Sequence, residues 1–372
     1  MAKNIAEIPV TEIVERVKSL SRSPSNSDNK IRGVIQDVYC REIPSKFDWN
    51  FLIVSSSFTT IAEYNPGTVS INTGSTTVTF GTALDYSYVT FRYPKIKFSG
   101  GDDVYRVDFF SGTSTAGIIP AFRGDQNLSN VSYSVFQEIY PLANDFDRFP
   151  KPGGVYYFTG NEKKSLEEVQ YRPYIDTYRS NVVTNPEKVR LVESDTAGNQ
   201  LVELIPAPSQ TKNYGYDYFK QLKPLTENTA GTVTSVFAGG QTVVGLGTKF
   251  TEATTGDFFR IDNLGTGADS NWYRILGIAH DSSLTLATAF ANTTITTSVN
   301  YTIARAPEMP SRMHIAIVYG ALRALELDQT DQNFAFYHTQ YAQVMSDSKR
   351  IYVSRPYNQE VTGIHEEYLY RR

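Results

Sequence analysis

The sequence predicts an α+β chain in which a helical domain is built from both chain ends and two copies of a small antiparallel β barrel or sandwich module are inserted. Three observations carry this prediction. First, residues 67–135 contain GTV, TTVTFGTA, VTFRY, VYRV, AFRG and VSYSV, and residues 231–303 repeat the order as GTV, QTVVGLGTKF, DFFRI, WYRI, TAFAN and VNYTI. Phe91-Arg92 aligns with Phe259-Arg260, Tyr105-Arg106 with Tyr273-Arg274, Ala121-Phe122 with Ala289-Phe290 and Tyr133 with Tyr301, all at an offset of 168 residues and with no net gap. One register held through four landmarks marks an internal duplication. Second, both repeats alternate apolar and polar residues between Gly, Asn, Asp and Ser, the pattern of short strands and turns. Third, the most regular helical spacing lies before residue 50 and after residue 308.

In chain order, Pro9 suits the first turn of a helix whose stripe is Val10, Ile13, Val14, Val17 and Leu20. Ser27 or Asp28 can cap a second helix carrying Ile31, Val34, Ile35, Val38 and Tyr39 and ending near Pro44. Phe47-Asp48-Trp49 then leads through a strand-like run, Ile53 to Ile61, into the first β module, assigned to 51–141. A linking segment, 142–228, opens on a Pro/Gly-rich loop at 141–154. It continues as a helix-compatible stretch over 163–180 with Pro173 in its middle, then three alternating runs, 189–192, 201–205 and 214–222, expected as one antiparallel piece.

The second module, 229–307, is the cleaner repeat. Thr232-Val233-Thr234 and Thr242-Val243-Val244 flank Ala238-Gly239-Gly240, which reads as a hairpin because glycine tolerates positive φ. Residues 310–350 read as a helical hairpin. Ile315, Val318, Leu322 and Leu325 mark its first helix, and Phe334, Tyr337, Tyr341, Val344, Met345 and Ser348 mark the buried face of its second. With residues 1–50, residues 308–350 form the predicted helical domain. Residues 351–372 lack helical spacing and read as an extended tail rich in tyrosine.

Composition narrows the function. The chain has 372 residues, enough for two or three domains, with 35 basic and 39 acidic side chains. That balance argues against a generic nucleic-acid binder, which needs a basic face for phosphates. A single cysteine, Cys40, leaves no intramolecular disulfide and no cysteine-based zinc site, and suits a reducing cytosol. No apolar run is long enough to span a bilayer, and the N-terminus lacks the order of a secretion signal, so neither membrane insertion nor export is expected.

No catalytic, cofactor or metal site is predicted. His280, His314, His338 and His365 have neither ligand spacing nor cysteine partners, and His338 reads as a core or interface group. Gly100-Gly101-Asp102-Asp103 reads as a turn, and Gly245 to Lys249 lacks the spacing of a phosphate loop. Asp145 with Asp147, or Glu167 with Glu168, could pair for glycoside hydrolysis, but proximity in sequence does not set separation in space. The Tyr-Arg pairs kept in both repeats are more informative. Alternation sends their side chains to opposite faces, so Tyr105 and Tyr273 are expected inside and Arg106 and Arg274 on the module surface.

Two short amphipathic helices, a Trp-containing passage, a β insertion and a C-terminal pair with Pro310, His314, Gly320-Ala321-Leu322, Leu325, Tyr337 and Tyr341 together resemble the head-to-tail adaptor, or connector, proteins of tailed bacteriophages. The GTVT, GxGTxF, GDFFRI and WYRI strings are similar to a β module recurrent in such virion proteins. The likeness covers about two thirds of the chain, which departs from it by carrying the module twice and by its long middle segment. It implies a non-enzymatic virion protein at the head-tail junction, assembled in the host cytoplasm as a homo-oligomeric ring, commonly of twelve subunits. The implied partners are the portal protein, further copies of the chain, and tail nozzle or fibre proteins. Genomic DNA would pass through the channel without sequence-specific binding. Position maps the portal-binding tail onto Tyr352, Arg355, Tyr357, Tyr368, Tyr370, Arg371 and Arg372, residue types enriched at interface hot spots. A carbohydrate-binding or polysaccharide-degrading phage tail protein is the alternative, and a decoration protein a third.

Overall fold

The computed structural model describes residues 7–21, 27–84, 93–99, 103–150, 154–169, 184–262, 271–326 and 332–353. The fold is mixed α+β, with mostly antiparallel sheets and a few helices. The chain divides into two compact units, one formed by Met1–Leu52 with Leu222–Arg372 and the other by Ile53–Gln221. The second is therefore an uninterrupted insertion in the sequence of the first.

In the inserted unit, β2 (Val69–Ile71), β3 (Thr77–Phe80), β4 (Lys95–Phe98), β5 (Val104–Ser111), β6 (Thr115–Ile119), β7 (Leu128–Val131) and β8 (Tyr133–Phe136) follow β1 (Ile53–Thr59) and form a seven-stranded sheet in the order β7-β2-β3-β6-β5-β4-β8. Its alternation buries Val78, Phe80, Ile96, Phe98, Tyr105, Val107 and Ile118 in one core. The run expected to lead into this sheet instead forms β1. It pairs along its whole length with β16 (Asn213–Lys220), Ile53 opposite Phe219 and Thr59 opposite Asn213.

The remaining strands are β9 (Ile139–Pro141), β10 (Phe146–Arg148), β11 (Val155–Thr159), β12 (Glu162–Ser165), β13 (Glu167–Glu168), β14 (Lys188–Val192) and β15 (Leu201–Ile205). One sheet runs β1-β16-β11-β12 with β10 also on β16, and another runs β13-β14-β15-β9. Two expectations are corrected. The three-stranded piece is only the β14-β15 hairpin, because β16 pairs with the long strand β1 in another sheet, although Tyr214, Tyr216 and Tyr218 share a core with Val189, Val202 and Leu204 of the hairpin. The first part of the 163–180 stretch is not helical. Gly160, at φ 60°, turns the chain so that β12 pairs with β11, Tyr156 opposite Ser165. Residues 170–183 lie outside the described residues.

In the discontinuous unit, α1 (Val10–Leu20) buries Val10, Ile13, Val14 and Val17, while Leu20 is exposed. The Ser27 hydroxyl caps α2 (Asp28–Asp37), accepting from the Lys30 N–H. The helical run ends close to Pro44, at Lys46. It widens into a π turn over Val38–Glu42 and resumes as α3 (Ile43–Lys46), the wider turn accommodating a proline that cannot donate to residue 40. After Ser311–Met313 come α4 (His314–Leu325) and α5 (Gln332–Tyr352).

These helices pack on one another. The Tyr39 hydroxyl accepts from Glu308 N–H at 2.8 Å, Tyr337 donates to the Leu20 carbonyl at 3.1 Å, and Arg323 pairs with Glu42 at 2.6 Å. α5 buries Tyr337, Tyr341, Met345 and Ser348, while Phe334 and Val344 are half-buried. Ile351 and Tyr352 complete this helix rather than begin an extended tail.

The same unit holds β17 (Glu227–Asn228), β18 (Thr232–Val236), β19 (Thr242–Leu246), β20 (Phe258–Ile261), β21 (Tyr273–His280), β22 (Ser283–Leu286) and β23 (Tyr301–Ala304), ordered β17-β23-β20-β21-β22-β19-β18. Read in opposite directions, β2-β3-β6-β5-β4-β8 and β18-β19-β22-β21-β20-β23 are one order. Ile96 opposes Tyr105 and Val135 as Phe259 opposes Tyr273 and Ile303, and Phe98 opposes Tyr133 as Ile261 opposes Tyr301.

That register corrects one landmark. Ile96, not Phe91, stands where Phe259 stands, so the ungapped alignment fails before β5. From Phe98 to Tyr105 is seven residues, and from Ile261 to Tyr273 twelve. The difference falls between the paired strands, where insertion costs little. Phe91 and Arg92 themselves lie outside the described residues.

Candidate functional site

The predicted interface residue that the structure describes in the tail is Tyr352, and aromatic packing holds it at the end of α5. Its half-buried ring meets Phe51 edge-on at 6.2 Å; Phe51 lies 5.6 Å from Trp49, and Trp49 5.2 Å from Phe47. Trp49 is fully buried and donates through Nε1 to the Ile43 carbonyl at 2.8 Å. Its backbone forms an antiparallel bridge with Val353, and the Lys349 ammonium lies 4.7 Å above the Phe47 ring. The Trp-containing passage thus fixes the point from which the chain continues past residue 353. Arg355, Tyr357, Tyr368, Tyr370, Arg371 and Arg372 lie outside the described residues.

The Tyr-Arg pairs sit as alternation requires. Tyr105 and Tyr273 are buried, while the Arg106 and Arg274 side chains are 57% and 55% exposed. Each tyrosine hydroxyl accepts a backbone N–H eighteen residues on, from Arg123 at 3.2 Å and from Ala291 at 3.0 Å. Each ring also packs on the next landmark, Tyr105 on Phe122 at 5.8 Å and Tyr273 on Phe290 at 5.3 Å. The tyrosines are therefore structural. The arginines differ in partner: Arg274 reaches Glu7 at 3.4 Å, whereas Arg106 meets Asp108 on its own strand at 3.5 Å. Glu7 carried no signal in the sequence, since nothing there links residue 7 to residue 274.

Three of the four candidate acids have structural partners, and Glu168 is exposed on β13. Asp145 accepts from the Tyr218 hydroxyl at 2.6 Å, Asp147 pairs with Arg148 at 2.6 Å, and Glu167 lies 3.6 Å from Lys188. Burial and the Asp145 carboxylate push the Tyr218 phenol up. Among the described residues, no group of three or more His, Cys, Asp or Glu side chains could hold a metal ion. No helix among them is long and apolar enough to cross a membrane.

His338 is not in the core. It is exposed, at the edge of the buried stripe of α5, and stacks on Phe334 one turn earlier at 5.9 Å. Among the described residues the buried histidine is His314, whose Nδ1 accepts the Ile8 N–H at 2.9 Å and whose Nε2 lies 3.0 Å from the Met309 carbonyl. These partners define the neutral Nε2–H tautomer, and burial holds its pKa below the usual histidine value.

The chain matches no protein-family model, and no curated protein matches it.

Proposed function

We propose that this chain is a head-to-tail adaptor of a tailed bacteriophage, a non-enzymatic virion protein that forms a ring on the portal vertex and joins capsid to tail. The observation that carries the reading is the packing of α1 and α2, from one end of the sequence, with α4 and α5 from the other. The Phe47-Trp49-Phe51-Tyr352 cluster adds support by rooting the C-terminal segment on these helices. We read the helices as one adaptor domain, and the two sheets of equal order as two copies of a small β barrel inserted in it. In this role the segment beyond Val353 engages the portal, with Tyr and Arg side chains as anchors. Twelve copies, the number common in such rings, would assemble at the head-tail junction. The β modules would meet neighbouring copies and nozzle or fibre proteins. The near balance of 35 basic and 39 acidic side chains suits a channel through which DNA slides without sticking.

Native mass spectrometry of the purified chain, alone and mixed with the portal ring of the same phage, tests this. The reading expects one high-mass complex that forms with portal and is lost when residues 354–372 are deleted. A chain that ignores portal and is already a stable trimer would overturn it in favour of a glycan-binding tail protein, as would turnover of host polysaccharide in a reducing-sugar assay.

A further inference from the structure

Arg106 and Arg274 occupy the same place in the two seven-stranded sheets: Arg106 opposes Lys95 on β4, and Arg274 opposes Phe258 on β20. The turns entering these strands also correspond. Val107 N–H donates to the Pro94 carbonyl as Ile275 N–H donates to the Asp257 carbonyl, both at 2.8 Å. Tyr93 and Gly256, the residues just before, both have positive φ, 57° and 100°.

Beyond this frame the two places differ. At the second, glycine makes the positive φ permissible, and Arg274 lies alongside it, its Nη2 3.5 Å from where a Cβ on Gly256 would be. Arg274 then holds Glu7, the carboxylate of an extended segment whose next residue, Ile8, is buried. At the first, a tyrosine is held in a conformation unfavourable for a bulky side chain, a form of strain that clusters at binding sites. Tyr93, Pro94, Arg106, Asp108, Phe109 and Phe110 line a hollow of about 520 Å³ there. Phe109 is 57% exposed beside it, and the only ion pair of Arg106 among the described residues is the exposed contact with Asp108, a kind worth little.

We infer that this hollow is a docking site for an extended acidic segment of a partner protein. A carboxylate would pair with Arg106 as Glu7 pairs with Arg274, and the following apolar side chain would pack on Tyr93 and Phe109. The chain's own Glu7 is engaged at Arg274, so the segment comes from elsewhere. This inference rests on the internal correspondence and stands apart from the adaptor reading.

The test uses the full chain and a capped, fluorescein-labelled hexapeptide of residues 5–10, IAEIPV, followed by anisotropy at low salt. Saturable binding below about 1 mM is expected. Arg106→Ala should weaken it about fivefold, the upper range for an exposed ion pair, and Arg274→Ala should leave it unchanged. A peptide with Glu7→Lys should bind Arg106→Glu better than it binds the unsubstituted chain. No binding at about 1 mM, or binding indifferent to Arg106→Ala, overturns the proposal. It is equally overturned if the peptide does not bind while Arg106→Glu shifts the sedimentation of the chain alone, since the occupant would then be a second copy.

Discussion

Gly320 lies against Val38 so closely that a Cβ added to it would stand 2.7 Å from Val38 Cγ1, with Tyr341 Cε2 at 3.2 Å on its other side. Val38 is β-branched and stiff at χ1, so it cannot swing away. Alanine is worth about 1 kcal/mol over glycine in a helix, but forcing a methyl group into a packed contact costs ~1–3 kcal/mol. Gly320→Ala is therefore expected to destabilise its unit by about 1 kcal/mol. Gly33 in α2 is the control: nothing lies within 4 Å of its added Cβ, so Gly33→Ala should stabilise by ~0.5–1 kcal/mol. The chain's two tryptophans, Trp49 and Trp272, both belong to this unit, so the urea midpoint read by their fluorescence measures both shifts. Equal effects of the two substitutions would refute the close contact.

Tyr105→Phe and Tyr273→Phe should act alike. Each removes the acceptor for one backbone N–H, of Arg123 or of Ala291, while keeping the ring on Phe122 or Phe290. A loss of about 1 kcal/mol is expected from each. The two residues lie in separate cores, so the double variant should show the sum. Differential scanning calorimetry of the four proteins completes the cycle, and a sum missed by more than about 0.5 kcal/mol would contradict independent cores.

Much of this architecture was legible in the residues, and the failures have identifiable causes. The stripe Val10-Ile13-Val14-Val17 and the alternation around Tyr105 and Tyr273 are local patterns, and both reappear as burial. Strand partnership is not local. Nothing in Asn213 to Lys220 tells it to pair with Ile53 to Thr59 rather than with Leu201 to Ile205, because all three read as strands and a strand pattern does not name its partner. The Phe91-Arg92 match misled because a dipeptide likeness survives an offset that the pairing register does not permit. For the candidate site, alternation placed Arg106 and Arg274 outside, but not the hollow at Tyr93. That hollow depends on a positive φ at a tyrosine, which the residue type argues against.

His314 supplies a pH dependence with a definite sign. Burial lowers its folded pKa below the unfolded value of about 6.5, so the unfolded chain takes up a proton first as pH falls. The contribution of the neutral ring is fully present above about pH 6.5 and is lost progressively below it, towards the lowered folded value. Urea unfolding read by tryptophan fluorescence at pH 7.5 and 5.5 should show lower stability at the acid end. His314→Gln should reduce that difference while costing ~1–3 kcal/mol at pH 7.5, since the buried Ile8 N–H loses its positioned acceptor. A variant with an undiminished acid loss would assign it to other groups.

The rooting of the C-terminal segment can be tested without any partner. Tyr352 meets Phe51 edge-on at 6.2 Å, and the Val353 N–H donates to the Lys349 carbonyl at 3.2 Å while its strand-like bridge to Trp49 closes the cluster. Aromatic pairs of this geometry contribute ~0.5–1.5 kcal/mol beyond their buried area. Because Tyr352 is only half-buried, Tyr352→Ala should leave global unfolding nearly unchanged and instead favour local opening of the last turn of α5. Native-state hydrogen exchange is the direct measurement. The amides of Ile351 to Val353 should exchange about tenfold faster in the variant, the factor that ~1.4 kcal/mol of local destabilisation produces, while those of Tyr341 to Met345 stay unchanged. Uniform acceleration along α5 would mean that Tyr352 supports the whole helix rather than its end. If the adaptor reading holds, the same substitution should weaken capture by the portal ring less than deletion of residues 354–372 does, because it loosens the root of the segment and leaves its Tyr and Arg anchors in place.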